Sequence, residues 1–152
     1  IAEIDGGSLR NAIPRESFAT IAISSRKARA FKKFIKEQNA LLKEENRTTD
    51  PNLKLEIEEV ATPKTTVETR FQNNLIRTVY ACPNGIHRMS PDIKDLVQTS
   101  NNLARVLVKD GKYSIQNLIL RKLHLYFCVW ILAKSNGKML LQLKRSKETI
   151  IF

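Results

Sequence analysis

A chain of 152 residues is about one domain long, and a hydrophobic content of 42% supports one modest core. The net charge of +11, from 26 Lys and Arg against 15 Asp and Glu, points to acidic partners, nucleic acid first among them. That charge is uneven, because from Leu118 onward seven basic residues face a single acid, Glu148. Cys82 and Cys128 have no short spacing, so they form neither a disulfide framework nor a zinc signature; a reducing, cytosolic setting fits. The opening Ile1-Ala2-Glu3-Ile4-Asp5 lacks the basic start and apolar stretch of a signal peptide. With no initiator Met, the chain is expected to start inside a larger protein. The longest apolar run, Leu125–Ala133, is too short to span a bilayer.

Ile1–Ile4 reads as a short strand and Ser17–Ser24 as a second. The polar block between them, Gly6 to Glu16, holds two glycines, the pair Arg10-Asn11 and the extended dipeptide Ile13-Pro14. Taken by composition, that block is a strand connection. Ser25 can cap a helix running to about Glu45, with Ala28, Phe31, Phe34, Ile35, Leu41 and Leu42 near the helical period. Lys27, Arg29, Lys32, Lys33 and Lys36 crowd its first half and read as a solvated face, since no aromatic residues interleave with them. Leu53, Leu55 and Ile57 alternate with Lys54, Glu56 and Glu58, which predicts a half-buried strand. Thr65 or Thr66 can cap a second helix with the stripe Val67, Phe71, Leu75, Ile76, Val79 and Tyr80, stopped by Cys82-Pro83-Asn84-Gly85.

Ile86–Asp95 reads as irregular. From Leu96 to Lys109 the chain is extended, with Leu103, Arg105 and Leu107 on one face and Ala104, Val106 and Val108 on the other. Asp110-Gly111 signals a tight hairpin, returning through Tyr113, Ile115 and Asn117. Gln98-Thr99-Ser100-Asn101-Asn102 is a polar cluster that could line a site or form a loop. Leu118–Ala133 is apolar at thirteen of sixteen positions without a clean period. Ser135-Asn136-Gly137 makes a turn, and strands are permitted on either side of it, but nothing fixes their pairing. The predicted fold class is therefore α+β: an antiparallel β-sheet with two helices packed on one face, followed by an irregular C-terminal tail.

The chemistry inventory argues against a self-contained active site. His87 and His124 stand far apart in unrelated contexts, and no H-E-x-x-H, G-x-S-x-G or phosphate loop is present. Ser8 has no paired base in its pattern, and Glu56, Glu58 and Glu59 read as the wet side of a strand rather than a carboxylate cluster. No residue is assigned as catalytic or as a metal ligand.

Gly6-Gly7-Ser8-Leu9-Arg10-Asn11-Ala12-Ile13-Pro14-Arg15-Glu16 closely resembles the aminoacyl-histidine dipeptidase family, the cytosolic di-zinc peptidases also called non-specific or Xaa-His dipeptidases. Cys82–Ser90, Val97–Leu103 and the hairpin Val108–Gln116 are similar to later family blocks in the same order, so the resemblance covers about residues 1 to 117. It implies that residues 1–118 are part of a ferredoxin-like lid domain, which in many relatives also mediates dimerisation. It further implies that the two zinc ions and the catalytic glutamate belong to another domain, so that no cofactor is bound by this chain. Asn11, just before the Ile-Pro pair, is the implied substrate-binding residue, donating an amide hydrogen bond to a dipeptide's carbonyl or carboxylate. Arg10 and Arg15 are its neighbours, without an assigned role.

The tail departs from the family. After Asn117-Leu118 an Arg and a Ser pair are expected, whereas the chain reads Ile119-Leu120-Arg121-Lys122-Leu123-His124. The family's substrate-binding arginine is accordingly not carried over to Arg121. Residues 119–152 are expected to be a divergent basic and apolar tail, as a reading-frame change or truncated gene would produce.

The resulting expectation is a cytoplasmic dipeptidase fragment whose lid positions a dipeptide over a di-metal site outside this chain, inactive by itself and able to form a homodimer, with neither nucleic acid nor membrane as partner. The alternatives are a non-catalytic self-association module and, with net charge as its sole support, a basic nucleic-acid binder.

Overall fold

The computed structural model describes residues 1–121, 126–134 and 139–146, the last two stretches by their backbone course. His124, the Ser135-Asn136-Gly137 turn and the final run Thr149–Phe152 lie outside the described residues. The chain divides into two compact units, one of Ile1–Ile21 with Thr65 onward and one of Ala22–Lys64.

The first unit is an antiparallel sheet with strand order β2-β1-β4-β5-β6-β7, and β3 also pairs with β4. The strands are β1 (Glu3–Gly6), β2 (Ser17–Thr20), β3 (Gly85–Met89), β4 (Val97–Lys109), β5 (Lys112–Arg121), β6 (Tyr126–Lys134) and β7 (Met139–Ser146). The hairpin predicted at Asp110-Gly111 is present. Both residues have positive φ, 52° and 68°, as the two-residue turn that matches strand twist requires.

β4 organises the sheet. Along one edge it pairs continuously with β5, from Thr99↔Arg121 to Lys109↔Lys112. Its other edge is divided: β3 occupies Val97–Asn101 and β1 occupies Val106–Val108. The register against β5 slips between Leu103 and Arg105, leaving Ala104 as a bulge. That extra residue corrects the strict alternation expected from the sequence. Leu103, opposite Asn117, now shares a face with Val106 and Val108, opposite Ile115 and Tyr113.

This face receives helix α2 (Thr69–Ala81). Phe71 and Leu75, one turn apart, are buried with Val108, Tyr113 and Ile115. The rings of Phe71 and Tyr113 meet edge to face, centroids 4.8 Å apart at 69°. α2 starts later than Thr65 or Thr66 predicts, with Glu68 at its N-cap. Val67 lies outside the helix because its N–H donates to the Ile1 carbonyl at 2.9 Å, extending the chain alongside the start of the sheet. Ile76 and Tyr80, expected on the apolar stripe, are exposed.

Two other expectations are corrected. The segment from Ile86, read as irregular, supplies β3, which uses β4's free edge and closes through a short turn in which Ser90 Oγ accepts from the N–H groups of Asp92 and Ile93. The tail, expected to be irregular, continues the sheet: β6 pairs with β5 from Lys112↔Lys134 to Ile119↔Phe127, and β7 with β6.

The second unit contains helix α1 (Ser25–Glu45), whose N-cap is Ser24 rather than Ser25. The strand predicted at Leu53–Glu58 is absent. Within this unit the Leu55 N–H donates to Asn39 Oδ1 at 2.7 Å and Glu59 pairs with Lys32, so the segment runs back along the helix. Alternation there reflects a half-covered extended segment, with Leu53 half-buried and Leu55 and Ile57 more open.

Candidate functional site

Between the parts of β4's edge taken by β3 and β1 lie Asn102 to Arg105, and the loop joining β1 to β2 is seated on this interval. The loop's base is closed by the Gly7 N–H donating to the Glu16 carbonyl at 3.0 Å. Gly7 has φ +77°, and a Cβ there would collide with the Ala104 carbonyl oxygen and lie 3.1 Å from its carbon. The glycine is thus required twice, for its left-handed backbone and for close approach to the bulge. Beside it, Arg105 donates to Asp5 Oδ1 at 3.0 Å, tying β1 to β4.

Within the loop, the Ala12 N–H donates to the Leu9 carbonyl at 3.1 Å, which makes Arg10 and Asn11 the two central residues of a turn. Asn11 is exposed, as are Arg10, Ile13, Pro14 and Arg15. Beneath it, Asn102 Nδ2 donates to the Ala12 carbonyl at 2.7 Å and reaches the Arg10 carbonyl at 3.4 Å. The turn therefore presents an exposed side-chain amide on a backbone gripped from the sheet. Such a group can donate to a carbonyl or carboxylate oxygen.

A second polar cluster fixes the other side of the interval. Asn101 and Asn117, 4% and 5% exposed, lie opposite the half-buried Cys82. Asn101 Nδ2 donates to the Pro83 carbonyl and to Asn117 Oδ1, the latter at 3.3 Å, and Asn117 Nδ2 donates to Cys82 Sγ at 3.6 Å. Asn84 Oδ1 accepts from the Leu103 N–H at 2.9 Å. The turn that stops α2 is thereby pinned to β4, and β3 begins at a fixed register.

Of the residues singled out in the sequence, Asn11 is brought to β4, while His87 and Arg88 lie exposed on β3. Glu56 pairs with Lys54 and Glu59 with Lys32, as charges on a wet surface do. The Lys32 ammonium holds the Glu59 carboxyl below the usual carboxylate range through its hydrogen bond and its charge. Among the described residues no three His, Cys, Asp or Glu come together as a metal-holding group. Those residues do not fit a zinc site, and no step here runs through a metal. Sequence reasoning placed Asn102 only within a polar cluster. The available signal was two consecutive asparagines inside a strand, where asparagine is otherwise depleted.

The described residues thus form an antiparallel sheet with α2 packed on it and a loop seated beside the bulge. Residues 1–50 match the M20 family's peptidase dimerisation domain. More particularly, the chain is similar to aminoacyl-histidine dipeptidases. It is 37% identical over 119 residues, 78% of its length, to the cytosol non-specific dipeptidase of Escherichia coli (strain K12). It superposes with a TM-score of 0.75 and 35% identity on the crystal structure of aminoacylhistidine dipeptidase from Vibrio alginolyticus, again over 78% of its length. In each case it spans 24% of the relative. No helix among the described residues is long and apolar enough to cross a membrane.

Proposed function

We propose that residues 1–118 act as the substrate-facing lid of an aminoacyl-histidine dipeptidase, with Asn11 donating its side-chain amide to the bound dipeptide. The observation that carries this reading is the seating of the Asn11 turn on β4, which fixes an exposed amide on rigid backbone. Pre-organised donors gain most where a carbonyl oxygen takes on charge, because they need no reorganisation as the charge develops. Arg10 and Arg15 make the surroundings cationic, which suits the carboxylate end of a dipeptide. The hydrolytic chemistry of the parent enzyme is assigned to the part of that protein outside this chain.

The test is a graft of residues 1–118 in place of the similar segment of the E. coli dipeptidase. The graft is expected to hydrolyse alanyl-histidine, and Asn11→Ala within it to lower kcat/KM by about 100-fold, the usual cost of removing one such donor. A kcat/KM within twofold of the unsubstituted graft refutes the assignment.

A second reading is favoured by the dimerisation domain matched over residues 1–50. In this reading β2, at the end of the sheet order and carrying Phe18 at 67% exposure, joins a second copy. Sedimentation across a concentration series, with and without Phe18→Lys, tests it: a monomer at all concentrations rejects self-association.

A further inference from the structure

We propose that Asn102 is the positioning residue of this site: it sets the turn that presents Asn11, and so acts on substrate through Asn11 without touching it. The proposal rests on the lid reading for the substrate; its structural half stands on the contacts alone.

Asn102 occupies the one stretch of β4 whose edge is left open by both neighbours, between the last β3 pair at Asn101 and the first β1 pair at Val106. A strand edge at such a place offers unpaired backbone groups and little to hold an irregular loop. Asn102 substitutes a side chain for the missing strand. Its single amide group carries two protons, and the acceptors they meet are the carbonyls of Arg10 and Ala12, one on each side of Asn11. The Arg10 carbonyl belongs to the peptide plane that enters Asn11 and the Ala12 carbonyl to the plane between Ala12 and Ile13, while the plane that leaves Asn11 is held by the Ala12 N–H on the Leu9 carbonyl; the bonds from Asn102 thus fix the turn on both sides of Asn11, and with it the direction of the Asn11 Cα–Cβ bond. The other contacts in the seat, Gly7 on Ala104 and Arg105 with Asp5, fix the base of the loop and the strand before it. At the tip the Ala12 N–H closes the turn on the Leu9 carbonyl, and Asn102 ties that turn to β4.

The choice of residue follows from the chemistry. An aspartate at position 102 has the same shape but only acceptors, and it would face two carbonyl oxygens. A glutamine keeps the donor on a longer stem. The half-buried setting of Asn102 makes an unpaired carboxylate there unfavourable for the turn while leaving the core beneath α2 untouched.

The experiment uses the full chain labelled with 15N. In Asn102→Asp, the backbone order parameters of Asn11 and Ala12 are expected to fall from rigid values of about 0.85 to below about 0.6. Those of Val108 and Ile115 should stay within error of the unsubstituted chain. Asn102→Gln should recover at least half of the lost order at Asn11. An unchanged order parameter at Asn11 in Asn102→Asp overturns the proposal. So does a loss shared equally by Val108 and Ile115, which would mark Asn102 as merely structural. Should both variants unfold, the unsubstituted chain still decides: the Asn102 side-chain amide protons must exchange with water at least tenfold more slowly than a free amide, and exchange at the free rate refutes the contacts. Alanyl-histidine is then titrated into the unsubstituted chain and Asn102→Asp. Shifts of the Asn11 side-chain amide signals that are lost in Asn102→Asp support positioning toward substrate. If the dipeptide moves no Asn11 signal in the unsubstituted chain while Asn102→Asp still frees the turn, the lid reading fails and the setting of the turn by Asn102 stands.

Discussion

Replacing Gly7 with alanine isolates the seat of the Asn11 loop. Two costs combine. The left-handed backbone at φ +77° disfavours an L side chain by about 1–2 kcal/mol. The new methyl would also press on the Ala104 carbonyl, whose carbon would be 3.1 Å away and the Arg105 Cα 3.3 Å. Both are backbone atoms of a paired strand and cannot swing aside as a side-chain end could, so overpacking of about 1–3 kcal/mol is added. The reduced freedom of the unfolded chain returns at most about 1 kcal/mol. A net loss of about 1–5 kcal/mol, with a denaturant slope of about 2 kcal/mol/M, lowers the urea midpoint by about 0.5–2.5 M. Gly85→Ala supplies the control. Gly85 also has positive φ, +99°, but a Cβ there meets nothing within 4 Å, so backbone strain alone is tested. Urea unfolding followed by circular dichroism on both variants measures the difference. If Gly7→Ala is no more destabilising than Gly85→Ala, the loop is not seated on the bulge and the reasoning fails.

Leu75→Ala, at a side chain 1% exposed, should cost about 2–5 kcal/mol in thermal or urea unfolding, while Tyr80→Ala, at 93% exposure, should stay within about 0.5 kcal/mol. Asn117→Ala strips a partner from buried Asn101 and should cost about 1–3 kcal/mol, with the largest amide shifts at Cys82 to Gly85. Glu59 should titrate below the usual carboxylate range by carbon-detected NMR, and Lys32→Met should return it to that range. Because the folded-state value is depressed, whatever the pair contributes is present above the unfolded carboxylate pKa and fades as pH falls through the folded one. The purified chain supplied with zinc should show no alanyl-histidine hydrolysis over buffer, and measurable turnover would defeat the assignment of the chemistry to another domain.

Much of this architecture was legible from local pattern. Asp110-Gly111 dictated its turn because few residues accept positive φ twice in succession. The i, i+4 pair Phe71 and Leu75 announced the face of α2, and Tyr113, Ile115 and Asn117 kept the alternation that a paired strand imposes. The failures have one origin: each needed knowledge of a partner distant in sequence. Leu53–Ile57 alternates like a strand, but alternation records half-burial and not what does the burying; here Asn39 and Lys32 of α1 stand where a neighbouring strand was expected. Ile86–Met89 lacks strand patterning because both of its sides are exposed, so only the free edge of β4 makes it a strand. The bulge at Ala104 leaves no mark on the sequence, yet it exchanges the faces of every residue N-terminal to it.

The candidate site inherits both kinds of legibility. Asn11 could be singled out because its surrounding block, from Gly6 to Glu16, is contiguous and distinctive. Asn102 could not, because its meaning depends on a loop ninety residues earlier. The link between them is the bulge. The bulge is a slip against β5, and on the opposite edge of β4 the same interval lies between the pairs made by β3 and those made by β1. The Gly7 backbone comes closest to β4 at this bulge, and the interval has a donor at one end in Asn102 and a cation at the other in Arg105. The exposed loop is thus held on β4 beside a strand irregularity. Deleting Ala104 should restore β4 alternation at Leu103 and unseat the Asn11 turn together. Amide shifts spreading from Leu103 to Asn11, with α2 and the Tyr113–Ile115 face unmoved, are the expected signature; a rearrangement confined to β4 would show that the loop holds its shape without the bulge.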